Sequence, residues 1–174
     1  MSKEQNNSIV RCWSKSWMFV AMAMIIALVA SGAGASPASA SSNQVPFNAS
    51  FSGSVAMTGP DSALLSGSGI ATYLGNTSYA GDVSAITPTP EGFTDVLVET
   101  LVAANGDTLT ILCIQTAAPT SPGVFLGTDQ WIVIGGTGRF AGATGSGTGV
   151  THVDLNNGTF DKQLTGSISA PNGN

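Results

Sequence analysis

The sequence is poor in charged residues, in bases and in the residues that metal sites use. Charged residues fill only 9% of the 174 positions, with five Lys and Arg against ten Asp and Glu, whereas about 25% is usual. The scarcity of bases excludes a nucleic-acid-binding surface, because phosphates are met by Lys and Arg. One histidine and two cysteines cannot supply the four ligands of a structural zinc site. We therefore expect no metal and no cofactor.

Residues 1–35 have the pattern of an export signal. Three basic residues precede the uncharged apolar run 18–30, and Ala33-x-Ala35 follows as a small-residue cleavage site. Ala38-x-Ala40 is a second cleavage site, and the choice between the two stays open. An uncleaved membrane anchor is the competing interpretation, although a spanning helix needs about 20 apolar residues. The pattern predicts a secreted or periplasmic protein with no stable membrane anchor after cleavage.

The rest of the chain predicts one domain behind a flexible linker. Residues 36–46 are small and polar and form the linker, 47–170 form the domain, and 171–174 form a tail. Beyond residue 35 two bases and nine acids remain, so the mature charge is 2 − 9 = −7. Cys113 is then the sole thiol. We expect it to be buried and inert, with a reactive thiol or an intermolecular bridge as the alternative.

Apolar and polar residues alternate almost everywhere after residue 46, which is the period of a β-strand. In the first run, Phe47, Phe51 and Val55 share one face, while Ser50 and Ser54 share the other. No stretch after residue 36 carries a helical stripe of useful length. Further strands are predicted at 65–74, 77–86, 93–104, 107–115, 125–134, 146–155 and 159–168.

Glycine, asparagine and proline mark the connections between these runs. Two-residue hairpins are predicted at Gly75-Asn76, Asn105-Gly106 and Asn157-Gly158, because such turns need positive φ. Prolines are expected in the longer connections, where a missing N–H does no harm. These prolines are Pro60, Pro88, Pro90, Pro119 and Pro122.

About eight short strands in sequence order predict an all-β, eight-stranded antiparallel barrel. Closing the sheet removes its exposed edges, and a barrel of this size is filled by side chains or holds one small ligand. A two-sheet sandwich is the alternative. The runs 93–104 and 109–114 are apolar on both faces. That excess of apolar surface predicts a homo-oligomer, a dimer or a trimer.

One glycine-rich segment matches the spacing of a dinucleotide-binding turn. The segment Gly136-x-Gly138-x-x-Ala141 follows an apolar strand. The mechanism needs a helix next, with its N-terminus at the pyrophosphate. Four glycines within 142–149 oppose a helix by about 1 kcal/mol each. We therefore predict a tight corner, with Phe140 plugging one end of the core and Arg139 paired with a carboxylate.

The same segment resembles a group of barrel proteins. Residues 134–147, Ile-Gly-Gly-Thr-Gly-Arg-Phe-Ala-Gly-Ala-Thr-Gly-Ser-Gly, are similar to the signature of the allene oxide cyclase and dirigent-like barrels. Secreted bacterial members of that group resemble the chain at 67–75 and 103–109 as well, and the similarity spans about 47–169. The resemblance implies an eight-stranded antiparallel barrel, often dimeric or trimeric, whose plant members guide ring closure or radical coupling. No segment matches their catalytic residues, so no role is transferred.

Glu99 is the candidate for a chemical role. It lies between Leu97 and Leu101 on one strand face, while Val98 and its neighbours fill the other face. A carboxylate in such a strand is costly to bury and acquires a raised pKa. Glu99 is therefore a weak candidate for a general base or a ligand acceptor. The alternative is a solvated or Arg-paired residue on the outside of the strand.

Other residues are candidates for ligand contacts. Tyr73, Tyr79 and Trp131 are each expected either to line a ligand pocket or to pack in the core. Arg139 is either a structural partner of a carboxylate or an anion contact for a ligand. His152 and Asp154 share a strand face and are expected to face solvent rather than to transfer protons.

These features favour an exported, non-enzymatic barrel that binds a small hydrophobic ligand or serves a structural role. The alternative is a cyclase or isomerase that acts on a hydrophobic substrate inside the barrel, similar to allene oxide cyclase. A barrel packed solid favours the structural role, whereas a cavity with a buried carboxylate favours binding or catalysis.

Overall fold

The computed structural model describes residues 43–171, and the predicted export signal lies outside this range. The described residues form eight strands and one short 3₁₀ turn, Gly138–Phe140. The strands are β1 (Gln44–Gly59), β2 (Ser62–Ala71), β3 (Gly75–Thr89), β4 (Gly92–Ala103), β5 (Thr108–Ser121), β6 (Val124–Gly136), β7 (Gly145–Asp154) and β8 (Thr159–Ser169).

The strands form a closed antiparallel barrel in sequence order. Each strand pairs with its neighbours in the chain, and β1 pairs with β8 from Gln44↔Ser169 to Ser54↔Thr159. This closure confirms the predicted barrel, and the two-sheet sandwich is wrong because a sandwich leaves edges that β1 and β8 here eliminate. Within residues 43–171, no helix has the length and apolar character that crossing a bilayer requires.

The turn between β2 and β3 differs from the prediction. Gly75 and Asn76 already belong to the ladder, where they pair with Ala71 and Ile70. The chain reverses one step earlier, with Tyr73 at a φ of 67° and the N–H of Leu74 donating to Ala71 O at 3.1 Å. This register buries Leu74 in the core. Gly75 still adopts the positive φ expected of it, at 70°, but as the first residue of β3 rather than inside the turn.

The other connections follow the prediction more closely. Gly106 and Gly158 adopt positive φ in their turns. Pro60, Pro90 and Pro122 also lie in turns. Pro88 and Pro119, predicted in connections, instead lie inside β3 and β5 and pair with Phe93 and Phe125.

These two prolines lie near the tips of long hairpins. The register shifts between Ser84 and Thr87 on β3 and between Pro119 and Ser121 on β5. A ladder that is already interrupted tolerates a residue without an N–H. Both strands therefore extend further than the alternating pattern indicates.

The barrel has two distinct ends. We call the end with the β1–β2, β3–β4, β5–β6 and β7–β8 turns the hairpin end, and the other the terminal end. The terminal end is apolar and closed: Phe140 of the 3₁₀ turn is fully buried in the core, as predicted. Phe47 stacks edge-on against Trp131 with centroids 5.6 Å apart. The remaining side chains of the core include Leu101, Leu109, Ile111, Leu164 and Ile168.

The outer surface carries apolar side chains across β4, β5 and β6. Val98, Leu112 and Ile132 lie in one cross-strand row, and Ile114 lies beside them. Ile114 and Ile132 are at least half-exposed in the single chain. Oligomerisation through this face stays a prediction.

Candidate functional site

The interior holds a group of polar side chains in the half nearer the hairpin end. Alternation along each strand turns these residues inward beside leucines and aromatics. All of them are at most 5% exposed. We call them the polar cluster, and its members are Tyr79 of β3, Asp95 and Glu99 of β4, Gln115 of β5, Asp129 of β6, Thr151 of β7 and Lys162 of β8.

Lys162 is the centre of the polar cluster. β8 and β4 are four strands apart in a ring of eight, so Lys162 reaches across the interior to form an ion pair with Glu99 on the opposite wall. Its ammonium also lies 3.3 Å from Asp129 Oδ2 and 3.8 Å from Cys113 Sγ. An ammonium has three N–H donors. The donors of Lys162 are thus matched by Glu99, Asp129 and Cys113.

Both carboxylate oxygens of Asp129 accept side-chain hydrogen bonds. Its Oδ1 accepts a hydrogen bond from Gln115 Nε2 at 2.8 Å, and its Oδ2 accepts one from Thr151 Oγ1 at 2.7 Å. The strand register explains this arrangement, because Gln115 is the direct neighbour of both Asp129 and Asp95. A row of three polar side chains, Asp95–Gln115–Asp129, therefore crosses β4, β5 and β6.

Three buried polar atoms in the polar cluster lack a hydrogen-bond partner among the described residues. They are Glu99 Oε2, Asp95 Oδ1 and the Tyr79 hydroxyl. The Tyr79 hydroxyl and the Glu99 carboxylate nevertheless interact by a hydrogen bond of poor geometry, which lowers the pKa of Glu99 and raises that of Tyr79. An unsatisfied buried polar group costs about 1–3 kcal/mol. Ordered water or a bound polar group satisfies such atoms in proteins.

Burial dominates the electrostatics of the polar cluster. Desolvation raises the pKa of Glu99, while the neighbouring Lys162 opposes the rise. Desolvation also raises the pKa of Asp95, to about 7, with Lys162 again opposing and Asp129 and Glu99 adding to the rise. Burial lowers the pKa of Lys162, but the neighbouring negative groups, Glu99 first, outweigh it and raise that pKa overall. Lys162 is therefore a cation, whereas Asp95 changes its charge near neutral pH.

An aromatic pair covers the polar row on the side of the hairpin end. Phe93 and Phe125 contact each other edge-on, with centroids 5.1 Å apart. Phe93 lies two residues before Asp95 on the inward face of β4 and pairs with Ala117 of β5, whereas Phe125 of β6 pairs with Pro119. Both rings are half-buried. The aromatic pair thus separates Asp95 from solvent.

The structure places the sequence candidates in different parts of the barrel. Glu99 is fully buried and paired with Lys162, so its interpretation as a solvated or Arg-paired outer residue is wrong. Trp131 is buried, and its Nε1 donates to Thr148 O at 3.0 Å. Tyr73 is 40% exposed in the β2–β3 turn. Neither Trp131 nor Tyr73 belongs to the polar cluster.

Arg139 and His152 also lie away from the polar cluster. The Nε of Arg139 is 3.4 Å from Asp107 Oδ2 at the terminal end, which is the carboxylate pairing that the sequence predicts. His152 is exposed on the outer face of β7. Asp154 accepts hydrogen bonds from the backbone of Asn156 and the side chain of Asn157, which hold its pKa below the usual range.

Sequence reasoning missed most of the polar cluster. In the sequence, Asp129 and Lys162 contribute only to the net charge, and no motif marks Gln115 as a site residue. The alternating pattern nevertheless indicates that these charged residues point inward. Asp129 shares a strand face with Trp131, and Lys162 shares a strand face with Phe160 and Leu164. A charged residue on the inward face of a barrel strand indicates an interior partner.

Two cavities of the described surface lie outside the barrel interior. One, of about 340 Å³, is bounded by Arg139, Ala143 and Ser169 at the terminal end. The other, of about 370 Å³, is an apolar groove on the outer face beside Ile114 and Ile132. Neither is lined by a residue of the polar cluster. Between residues 43 and 171, no three His, Cys, Asp or Glu side chains converge to hold a metal ion.

Comparisons with known proteins bear on the fold. No family profile matches the chain, and no curated protein matches it. Among solved structures, a pterocarpan synthase dirigent protein is similar, with a TM-score of 0.52 and 17% sequence identity. The match covers 79% of this chain and 96% of that one. The likeness confirms the resemblance in fold stated from residues 134–147, and the chain has a dirigent-like, eight-stranded β-barrel fold.

Proposed function

We propose that this protein is an exported, non-enzymatic barrel that binds one small, mainly apolar molecule in its interior. The polar cluster would recognise a single polar group of that molecule. The apolar side chains around the cluster would contact the remainder. The export signal predicted for residues 1–35 supports a secreted or periplasmic location.

The observation that carries this proposal is the set of buried polar atoms without partners. Glu99 Oε2 and Asp95 Oδ1 are removed from water and accept no well-aligned hydrogen bond from the described residues. Buried ion pairs add little net stability compared with apolar residues of similar volume. A bound polar group would supply the missing donors, and ordered water is the alternative that the experiment below distinguishes.

The size of the barrel limits any ligand to one small molecule. An eight-stranded barrel has room for side chains or for one small molecule. The terminal end is closed by Phe140. Access would therefore be at the hairpin end, where the half-buried rings of Phe93 and Phe125 lie.

Native mass spectrometry of the protein purified from its natural source tests the proposal. We expect an adduct of small mass that leaves on denaturation. The same measurement on Glu99→Gln and Asp95→Asn variants produced in that source should show a reduced adduct. The exposed carboxylate of Asp82 on β3 offers a matched control, and Asp82→Asn should keep the adduct. A clean apo mass from every preparation would overturn ligand binding and favour the structural role.

One observation favours catalysis as a second candidate. Glu99 is fully buried beside Tyr79, and desolvation raises the pKa of its carboxyl, which is the direction expected of a general base. A cyclase or isomerase would use Glu99 as the general base on a hydrophobic substrate. Chromatography of the released adduct would separate the two functions. A single compound, also recovered from Glu99→Gln, supports binding alone, whereas a second isomer present only with Glu99 supports catalysis.

A further inference from the structure

Arg139 is the only Lys or Arg among residues 43–171 whose side chain reaches solvent. The other one, Lys162, is fully buried in the barrel, whereas the side chain of Arg139 is 34% exposed. Arg139 also bounds the cavity of about 340 Å³ at the terminal end. A volume of this size is typical of sites for small molecules. A guanidinium in the wall of such a cavity is suited to contact an anion.

Two neighbours position the guanidinium of Arg139 without using its hydrogen bonds. Its central carbon lies 5.3 Å from the centroid of the Phe140 ring, which is itself fully buried. Its Nε lies 3.4 Å from Asp107 Oδ2, but this N–H has no aligned acceptor among the described residues. A guanidinium carries five N–H donors. An arginine that served only to pair with Asp107 would direct an aligned donor at that carboxylate.

Asp107 instead orders the turns around Arg139. Its Oδ2 accepts hydrogen bonds from Asn105 Nδ2 at 2.9 Å and from the backbone N–H of Arg139 at 3.4 Å. Its own backbone N–H donates to Asn105 Oδ1 at 3.2 Å. Gly138 has a φ of 56°, and a Cβ there would overlap Asp107 Oδ1. The carboxylate is thus held by the β4–β5 turn and by the backbone before Phe140, and the guanidinium keeps its donors for the cavity.

The rest of the cavity wall is uncharged. No Asp or Glu lines it, and its other residues include Gly142, Ala143 and Ala170. The backbone N–H of Gly142 has no hydrogen-bond partner among the described residues. The two alanines contribute small apolar surfaces. This lining suits a polar group that accepts hydrogen bonds and carries a short apolar body.

The distribution of charge favours an anion at this end of the barrel. Asp107 is the one acidic residue of the described chain that lies at the terminal end. The other acids that reach the surface lie in the turns of the hairpin end or in the strand halves next to it, and they are Asp61, Asp82, Glu91, Asp154 and Asp161. An anion that approaches Arg139 therefore avoids most of the negative surface.

We propose that the cavity beside Arg139 binds the carboxylate of a small organic acid, which forms a bidentate ion pair with the guanidinium. The planar fork of arginine matches the two oxygens of a carboxylate. The apolar body of the acid lies against Ala143 and Ala170. One arginine beside one aspartate leaves no excess positive charge, so a singly charged carboxylate suits the site better than a phosphate dianion. The site is separate from the barrel interior, and neither proposal depends on the other.

Isothermal titration of the full chain at neutral pH with three probes tests the proposal. Benzoate, benzyl alcohol and phenyl phosphate share an aromatic ring and differ in the charge and shape of the polar group. We expect benzoate to bind at least about tenfold more tightly than either of the other two. Added sodium chloride should weaken the binding of benzoate and leave that of benzyl alcohol nearly unchanged, because salt screens an exposed ion pair.

Two substitutions of Arg139 separate its charge from its shape. Arg139→Gln should remove the preference for benzoate. Arg139→Lys keeps the charge but lacks the planar fork, so its affinity for benzoate should lie between those of Arg139→Gln and wild type. Asp82→Asn changes an exposed carboxylate at a distance from the cavity and should keep the wild-type affinity. The denaturation midpoint of each variant shows that it is folded.

Four results would overturn the proposal. Benzoate binding that persists in folded Arg139→Gln would place the anion elsewhere. Equal binding of benzyl alcohol would exclude the ion pair, and tighter binding of phenyl phosphate would assign a phosphate to the guanidinium. No binding of any probe would leave Arg139 as a partner of Asp107 alone.

Native mass spectrometry separates this site from the interior one. An adduct of the natural protein that is lost in Arg139→Gln and kept in Glu99→Gln would belong to the cavity beside Arg139 and would support the present proposal. An adduct with the opposite behaviour would belong to the interior, and the titrations with benzoate would then decide the Arg139 site by themselves.

Discussion

Lys162 and Glu99 project from strands on opposite walls of the barrel and meet as an ion pair in its interior. The side chain of Lys162 therefore crosses the core rather than following the sheet. Both side chains are fully removed from solvent. The ion pair links β8 to β4, two strands that share no backbone hydrogen bond.

Replacement of Lys162 by methionine should strongly destabilise the barrel. The variant has a similar length but leaves Glu99 and Asp129 buried without a counter-charge. Breaking a buried pair on one side costs about 3–5 kcal/mol. Urea denaturation followed by tryptophan fluorescence measures the change. A control that replaces exposed Gln163 on the same strand by methionine should shift stability by less than about 0.5 kcal/mol.

Stability should depend on pH through Asp95. Its folded pKa of about 7 lies above the ordinary aspartate value of 3.8, so the folded state holds a proton that the unfolded chain releases. The stabilising contribution is complete below pH 3.8 and is lost as the pH rises to about 7. The loss is on the order of 2–4 kcal/mol. Asparagine is neutral at every pH, so Asp95→Asn should flatten this part of the profile and be more stable than wild type at pH 8.

Denaturant midpoints between pH 4 and pH 8 provide the measurement. The matched variant Asp82→Asn changes an exposed carboxylate and should keep the wild-type slope. A slope that is the same in Asp95→Asn and wild type would mean that another group titrates in this range. The result would then contradict the burial of an ionisable Asp95.

The strands could be predicted because alternation is a local property. Residues such as Phe47, Phe51 and Val55 show the two-residue period of a strand. The same period places Glu99 on the inward face with Leu97 and Leu101. The ion pair with Lys162 could not be predicted in the same way. It depends on closure between β1 and β8 and on the stagger of strands around the barrel, which no local pattern contains.

The predicted position of the turn between β2 and β3 is wrong. The Gly75-Asn76 pair has the preferred residues for a hairpin, yet the chain turns at Tyr73 with positive φ. A tyrosine in that conformation costs free energy. The burial of Leu74 offsets this cost. The burial of Leu74 is a tertiary contact, which the local sequence pattern does not reveal.

Glycines of β7 and β8 should be intolerant of a methyl group where Trp131 packs. Gly147 and Gly166 pair across the two strands. A Cβ at Gly147 would lie 2.5 Å from Trp131 Cζ2 and 2.0 Å from the Thr165 carbonyl oxygen. The backbone atom cannot yield without distorting the ladder. Gly147→Ala should therefore cost on the order of 1–3 kcal/mol and shift the tryptophan emission.

Gly135 offers the matched control on β6. A Cβ there would meet only Thr110 Cβ, at 4.0 Å. Gly135→Ala should leave the denaturation midpoint and the emission spectrum close to those of wild type. Equal effects of the two substitutions would show that glycine is required in these strands for a reason other than contact with Trp131.

Cys113 should be inert in the folded protein. Its side chain is fully buried, and burial raises the pKa of the thiol, so the reactive thiolate is scarce. A Cys12→Ser variant of the full chain isolates the signal of Cys113. We expect a thiol reagent to label this variant at pH 8 only as fast as the barrel opens, and immediately in denaturant. Lys162→Met should accelerate the labelling about tenfold for each 1.4 kcal/mol of stability that it removes, because reaction then follows the population of the opened state. Rapid labelling of the folded Cys12→Ser protein would instead assign Cys113 to an accessible site.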